Sequence, residues 1–156
     1  MIEVELDAFT GEVSVLRADL ICEGSGSGCA ELDRAQISRA YMMGQGWMFS
    51  EEVNARPYTL PGLEDAPLDF RIELVDFGGE SEKSWPVLSC AEAPMAMAFA
   101  AREALREAIL AYAPDSGIDI ELPVPAGPPV VMRALQELSR KVASKAGKQK
   151  KTGEAG

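Results

Sequence analysis

The chain has 156 residues, 47% of them hydrophobic, and a formal net charge of −10. This length suits one domain with its own core. No run of residues approaches the roughly 20 apolar residues of a membrane span, and the N-terminus lacks the basic and apolar regions of a secretory signal. We therefore expect a soluble, cytoplasmic protein that makes no membrane contact.

The charge is unevenly distributed along the chain. Residues 139–156 carry six basic residues and one acid, so residues 1–138 carry a net charge of −15. An acidic body lacks the positive surface that phosphate contacts require, and we expect no nucleic-acid partner. The weakly hydrophobic segment 139–156 is predicted to be a basic, disordered tail that follows a domain of residues 1–138.

Cysteine and histidine usage limits the possible chemistry. Cys22, Cys29 and Cys90 form neither an even disulfide set nor a zinc-ligand spacing, which favours a reducing compartment. The absence of histidine excludes Ser-His and Cys-His catalysis and any histidine metal site. Acid-base chemistry must then use Asp, Glu, Lys, Tyr or Cys, and we predict no metal-ligating residue.

The first 23 residues predict a β-hairpin. Apolar and acidic residues alternate from Ile2 to Asp7, as on a half-buried strand, and "AFTG" provides a turn. The apolar phase of the returning strand slips by one residue between Val15 and Leu16. A β-bulge at this point would account for the slip.

A helix is predicted after the loop "EGSGSGCAEL". Asp33 and Gln36 have the spacing of a capping box, which places the helix start at Asp33. Gly44 and Gly46 are expected to end the regular helix near Met43.

The second half of the chain predicts one strand and two helices. Alternation from Leu68 to Leu74 indicates a strand, Pro94 is expected at the first position of an amphipathic helix, and a last helix is expected from about Pro129. The order is hairpin, helix, strand, helix, helix. We therefore predict an α+β fold.

Two features have a functional reading that we consider weaker than a structural one. "GSGSG" lies between a strand and a helix, as dinucleotide-binding loops do, but Cys29 replaces the third glycine of the motif. The preceding hairpin is also the wrong topology for a βαβ unit. Methionines that could form a soft-metal or peptide-binding surface have helical spacings more typical of core filling; they are Met42, Met43, Met48, Met95 and Met97.

Glu92 is a more informative residue. It immediately precedes the predicted helix and is surrounded by Cys90, Ala91, Ala93 and Met95, which are small or apolar. A carboxylate here can simply stabilise the helix start through the unpaired N–H groups and the helix dipole. The alternative is a catalytic carboxylate that faces a poorly hydrated pocket.

Several segments, taken in order, resemble the C-terminal part of the molybdopterin-binding catalytic subunit of the xanthine dehydrogenase and aldehyde oxidase family of molybdenum hydroxylases. They are "IEVELDAFTGEVSVLRADLICE", "LDRAQISRAYMMGQGWMFSEE", "LDFRIELVD", "SCAEAPMAMAFAAREALREAI" and "PPVVMRALQ". The resemblance covers the chain from Ile2 to about Gln136. Its strength lies in the order of the segments, because each one is weakly specific.

The resemblance implies an oxidoreductase site that this chain completes only in part. Glu92 matches the family's active-site glutamate, the general base of the hydroxylation. Gln36 matches a glutamine that contacts the molybdenum cofactor, and Ala91 takes the place of a glycine whose main chain approaches the cofactor. The implied partners are the remainder of the molybdopterin-binding subunit and the subunits or domains that carry 2Fe-2S clusters and FAD. The implied substrates are aldehydes, purines or N-heterocycles.

The sequence also departs from the family pattern. Family glycines are replaced by Ala35, Arg39 and Ala91, and Arg39 at a close-packing position needs room or a rotated helix.

Three hypotheses about the function of the chain follow. The chain is the C-terminal segment of a molybdenum hydroxylase completed by other sequence, a diverged remnant or small interaction module that keeps the fold without a cofactor, or a nucleotide-binding protein at "GSGSG".

Overall fold

The computed structural model describes the backbone of residues 1–23, 29–51, 60–75 and 92–153, with side chains up to residue 147. Three strands and four α-helices are assigned within these ranges, together with two short 3-10 turns, Leu63–Asp65 and Pro114–Ser116. The strands are β1 (Ile2–Leu6), β2 (Val13–Glu23) and β3 (Asp69–Val75), and the helices are α1 (Ala30–Phe49), α2 (Glu92–Met97), α3 (Phe99–Leu110) and α4 (Pro128–Gly153). The predicted α+β fold is confirmed.

The hairpin and its bulge are confirmed. Strands β1 and β2 pair antiparallel, with Glu3 opposite Arg17 and Val4 opposite Val15. Leu16 is therefore an extra residue on β2, at the position where the apolar phase of the sequence slips. The bulge restores the inward orientation of the buried residues Ala18 and Leu20 after the irregularity.

The sheet is completed by a parallel strand. β3 pairs with β2 in parallel, from Arg17 opposite Asp69 to Glu23 opposite Val75. Because α1 lies between these strands in the sequence, β2, α1 and β3 have the order of a βαβ unit. The expectation that the hairpin rules out such a unit was wrong, since β2 pairs with β1 along one edge and with β3 along the other.

Helix α1 is longer than predicted at both ends. It begins at Ala30, with Cys29 as the N-cap residue, and ends at Phe49. Gly44 and Gly46 therefore lie inside the helix, and the predicted end near Met43 was wrong. A side chain at Gly44 would collide with the carbonyl oxygen of Met95, so the glycine serves close helix packing and does not terminate the helix.

The helix predicted to begin at Pro94 is divided into two. Helix α2 begins at Glu92, which makes Pro94 its third residue, and Ala98 separates α2 from α3. Pro94 is tolerated because the first four N–H groups of a helix have no acceptor within the helix. The sequence had predicted that Glu92 lies outside the helix. In the structure it lies within the first turn of α2.

Two hydrophobic clusters hold these elements together. In the first, α1 packs on the sheet through Ile37, Tyr41 and Met48, which contact Ala18 and Leu20. The second joins α3, the segment before α4, and α4 itself. Its buried residues are Leu105, Ile109, Ile120, Leu122, Ala126, Val131, Ala134 and Leu138.

Helix α4 continues through most of the segment that the sequence predicted to be disordered. It begins at Pro128, close to the predicted Pro129, and reaches Gly153. Lys141 pairs with Glu137 at 2.7 Å, and its ammonium group donates to the carbonyl of Asp119. The Lys145 ammonium group donates to the carbonyl of Ser116. These bonds hold the basic segment against the residues that precede α4, and the segment continues as a helix. The domain boundary at residue 138 stays a prediction.

The role of Gly44 can be tested by replacing it with alanine. The new Cβ would lie 2.9 Å from the Cβ of Ala98 and closer still to the Met95 carbonyl oxygen. We expect Gly44→Ala to lower the free energy of unfolding by about 1–3 kcal/mol, measured by urea denaturation. The control is Gly147→Ala in α4, where no atom lies within 4 Å of the added Cβ. This variant should gain about 0.5–1 kcal/mol, and an equal effect at both glycines would contradict the packing role.

The hydroxyl group of Tyr41 gives a second prediction. This oxygen is buried without a hydrogen-bond partner among the described residues, and burial raises the pKa of Tyr41 to about 12. An unfolded tyrosine titrates near pH 10, so the stability that depends on a neutral Tyr41 is present below about pH 10 and is lost as the pH rises towards 12.

Tyr41→Phe removes the hydroxyl group while keeping the ring contact with Phe70, whose centroid lies 5.2 Å away. We expect the variant to match or exceed the stability of the parent chain by up to about 1 kcal/mol at pH 8. The advantage should grow above pH 10. Urea midpoints measured at pH 8, 10 and 11 test this expectation, and a variant that is less stable at every pH would contradict it.

Candidate functional site

Glu92 presents an exposed carboxylate at the start of α2. It forms no hydrogen bond or ion pair with any other residue in the described parts of the chain. Pro94, two residues later, is buried and fixes this end of the helix against the protein. The carboxylate therefore lies at the start of a helix whose Pro94 is buried, and no other described residue bonds to it.

Gln36 lies in the second turn of α1, and its side chain is half-buried. Its amide makes no hydrogen bond to another described residue. The next residue, Ile37, is fully buried against the sheet, so Gln36 occupies a neighbouring and more open side of the helix. Like Glu92, Gln36 is a polar side chain that the described structure leaves available to a ligand.

The structure brings the helices of the two residues together without joining their side chains. Helices α1 and α2 are in close contact where Gly44 meets Met95. Ala91, the third predicted site residue, lies outside the described residues, as does "GSGSG". The position of the Ala91 main chain and the phosphate-binding hypothesis therefore stay predictions.

Cationic side chains on α3 are already engaged within the protein. Arg102 donates from Nε to the carbonyl of Leu122 at 3.1 Å, and Arg106 donates from Nη1 to the Asp119 carboxylate at 2.7 Å. The Arg106 guanidinium also bonds to Glu103 and, with Arg102, lowers the pKa of that carboxyl group. These arginines fix the segment before α4 onto α3, and this engagement leaves them poorly suited to bind an anionic substrate.

An apolar cavity of about 470 Å³ lies beside α2. It is formed between the hairpin and the α2–α3 region and is lined by Met1, Ile2, Asp19, Leu20, Ile21, Met97 and Ala100. The sulfur atoms of Met97 and Cys22 are 4.0 Å apart next to it. The lining is almost entirely apolar, so this cavity can hold hydrophobic groups but offers little chemistry of its own.

Sequence reasoning missed a polar cluster at the C-terminal end of α1. Gln45 is buried and donates from its amide nitrogen to the carbonyl of Asp65, while its amide oxygen has no partner among the described residues. A cavity of about 140 Å³ adjoins it, with Ser14, Gly46 and Pro61 in its lining. A glutamine flanked by two glycines was the available signal, but the two glycines had been taken as the end of the helix.

The described residues offer no protein-ligated metal centre and no membrane-crossing helix. No group of three or more Cys, Asp or Glu side chains within those ranges is placed to hold a metal ion. No helix in the same ranges is long and apolar enough to cross a membrane. Three of these methionines follow the structural alternative: Met48 is buried between α1 and the sheet, and Met42 and Met97 pack against that cluster. Met43 does not, because 39% of its surface is exposed.

Comparison with known proteins identifies relatives along most of the chain. No protein-family model matches. The chain is 28% identical over 146 residues to "Probable aldehyde oxidase 3" of Oryza sativa subsp. japonica, a match of 83% of this chain and 11% of the relative. It is 30% identical over 149 residues to "Abscisic-aldehyde oxidase" of Arabidopsis thaliana, with the same two shares. A "Xanthine dehydrogenase" of Dictyostelium discoideum is 29% identical over 120 residues, 70% of this chain and 9% of the relative.

These matches confirm the resemblance that the ordered segments had indicated. They also show that the chain spans about a tenth of the length of the curated relatives it matches.

Whether Gln36 and Glu92 contribute to the stability of the fold can be tested on the chain alone. Because neither side chain makes a described hydrogen bond, Gln36→Leu and Glu92→Gln should each change the free energy of unfolding by less than about 0.5 kcal/mol. The buried residue Leu105, replaced by alanine, should cost about 2–5 kcal/mol in the same urea titration. A loss above about 1 kcal/mol at either site residue would show that it supports the fold.

Proposed function

We propose that this chain, which is related to the aldehyde oxidases and xanthine dehydrogenases, is the C-terminal segment of a molybdenum hydroxylase whose remaining parts are supplied by other sequence. Glu92 is its general base, and Gln36 is its side-chain contact to the cofactor. The observation that carries the proposal is that both residues lie in the family-matched segments and present polar groups that no described residue uses.

The donor set fits the edge of a cofactor site and not a complete one. A carboxylate and an amide are suited to accept and donate hydrogen bonds to a polar cofactor, whereas the described residues include no cluster that could ligate the metal. The molybdenum cofactor, when bound, would supply the two-electron oxidation. The chain's own part is to orient the cofactor through Gln36 and the main chain at Ala91 and to accept a proton at Glu92.

A carboxylate on α2 is suited to this proton transfer. Its oxygens have no internal ion pair among the described residues, so they can receive a proton without breaking a bond of the fold. The buried Pro94 and the Gly44 contact restrain α2, which keeps the base in a defined position. Proton transfer by a positioned carboxylate typically contributes about 10²–10⁴ in rate.

The proposal extends to partners, substrates and location. The complementing parts would carry the rest of the molybdopterin-binding region, 2Fe-2S clusters and FAD, and the substrate would be an aldehyde, a purine or an N-heterocycle. A cytoplasmic location is supported by the sequence pattern of three cysteines, which suits a reducing compartment.

A second candidate function is an interaction module that keeps the fold without the cofactor. The replacement of family glycines by Ala35 and Arg39, both exposed on α1, favours it. The two candidates differ in the cofactor: the enzyme segment requires molybdenum and the remaining parts of the hydroxylase, whereas the interaction module requires neither.

Substitution of the base tests the enzyme. In the complex isolated from the native source, Glu92→Gln should lower turnover at least about 100-fold with an aldehyde or N-heterocycle substrate, because the amide cannot accept the proton. Bound molybdenum, measured by elemental analysis, should be unchanged.

Glu73→Gln on β3 is the matched control, since it makes the same chemical change at another exposed position. It should leave turnover unchanged. Equal activity of the Glu92→Gln and Glu73→Gln complexes would contradict the catalytic role and favour the interaction module.

A further inference from the structure

Helix α1 carries a second apolar face that the described structure does not cover. Leu32, Gln36, Arg39, Met43 and Trp47 follow one another at intervals of three or four residues and therefore lie along one side of the helix. We call these five residues the outward stripe. Leu32, Met43 and Trp47 have exposed fractions of 46%, 39% and 50%.

The outward stripe is distinct from the side of α1 that packs on the sheet. That side buries Ile37, Ala40, Tyr41 and Met48. Single exposed apolar residues are ordinary, but a tryptophan aligned with a methionine and a leucine on one helix is typical of an interaction surface. A helix that is apolar on two sides is usually covered on both in its complete assembly.

The charge of the stripe distinguishes between possible occupants. Arg39 lies near its midpoint, and no acidic residue belongs to it. If a second copy covered the whole stripe through a two-fold axis, Arg39 would face its own equivalent across the interface. That like-charge contact opposes self-association. A different polypeptide with a carboxylate opposite Arg39 would satisfy both the apolar residues and the cation.

We propose that the outward stripe is the docking surface for the complementing polypeptide of the molybdenum hydroxylase, which presents an apolar surface with an acidic residue opposite Arg39. The inference rests on the proposed function. Gln36 lies within the stripe, so a chain that brings the cofactor to Gln36 must approach this side of α1. The relatives are about ten times longer than the matched segment, and their additional length contains enough sequence to provide such a partner.

The test is to isolate the full chain, tagged, from cells of its native source and to quantify co-purifying polypeptides by mass spectrometry. We expect a larger polypeptide that matches the parts of aldehyde oxidases absent here, in near-equimolar amount. Trp47→Ser and Arg39→Glu should each reduce its recovery at least about tenfold. Phe9→Ser is the matched control, because Phe9 is 94% exposed on the hairpin turn, and it should leave recovery unchanged.

Arg39 is exposed, so its charge reversal should not disturb folding, and an unchanged Tm will verify this. Full recovery of the larger polypeptide with both stripe variants would overturn the docking surface and leave the proposed function standing. Self-association abolished by Trp47→Ser would replace the partner by a second copy and overturn the inference. Absence of any such polypeptide from the unmodified chain, together with absence of molybdenum, would overturn both.

Discussion

The close contact between α1 and α2 at Gly44 is the constraint on which the arrangement of the candidate site depends. Only a residue without a Cβ lets the backbone of α1 approach the carbonyl oxygen of Met95. Through this contact the helix that carries Gln36 and the short helix that begins with Glu92 form one packed unit. Burial of Pro94 and Ala98 secures α2 on the same side. Gln36 and Glu92 themselves make no hydrogen bond or ion pair with another residue of the described ranges.

Helix α1 contributes to both the hydrophobic core and the proposed function. One side supplies Ile37, Tyr41 and Met48 to the core of the sheet. The outward stripe presents three apolar side chains, one cation and Gln36. The expected conflict at Arg39 does not arise among the described residues, because this side chain is exposed on the helix. The substitution instead gives that side a charge that a partner must match.

Local patterns predicted the elements well, but not the contacts between distant segments. Alternation identified the strands and even the bulge at Leu16, because the inward and outward positions of a strand are visible in the sequence. The same reasoning could not predict that β3 joins β2 in parallel, since pairing depends on where α1 leads the chain. Gly44 was misread for a similar reason: a packing glycine and a terminating glycine look alike without knowledge of what lies opposite.

The candidate site was predictable only through family resemblance. From its immediate sequence, Glu92 was more compatible with a helix-stabilising charge than with a catalytic one. The matches to aldehyde oxidases and xanthine dehydrogenases support the family without testing the role of any residue. Gln45 was missed because its burial depends on the distant Asp65 and Pro61. The tail differed from expectation because Lys141 and Lys145 bond to the loop before α4, a contact between segments that are remote in sequence.

The central claim is that this chain operates as part of a molybdenum enzyme. The most direct measurement is the molybdenum content per chain, by elemental analysis, of the protein isolated under gentle conditions from its native source. The account predicts close to one molybdenum atom per chain in a fraction that also contains a larger polypeptide. A chain that elutes alone and without molybdenum would contradict this claim. Glu92 would then be a residue at the start of a helix without a catalytic role.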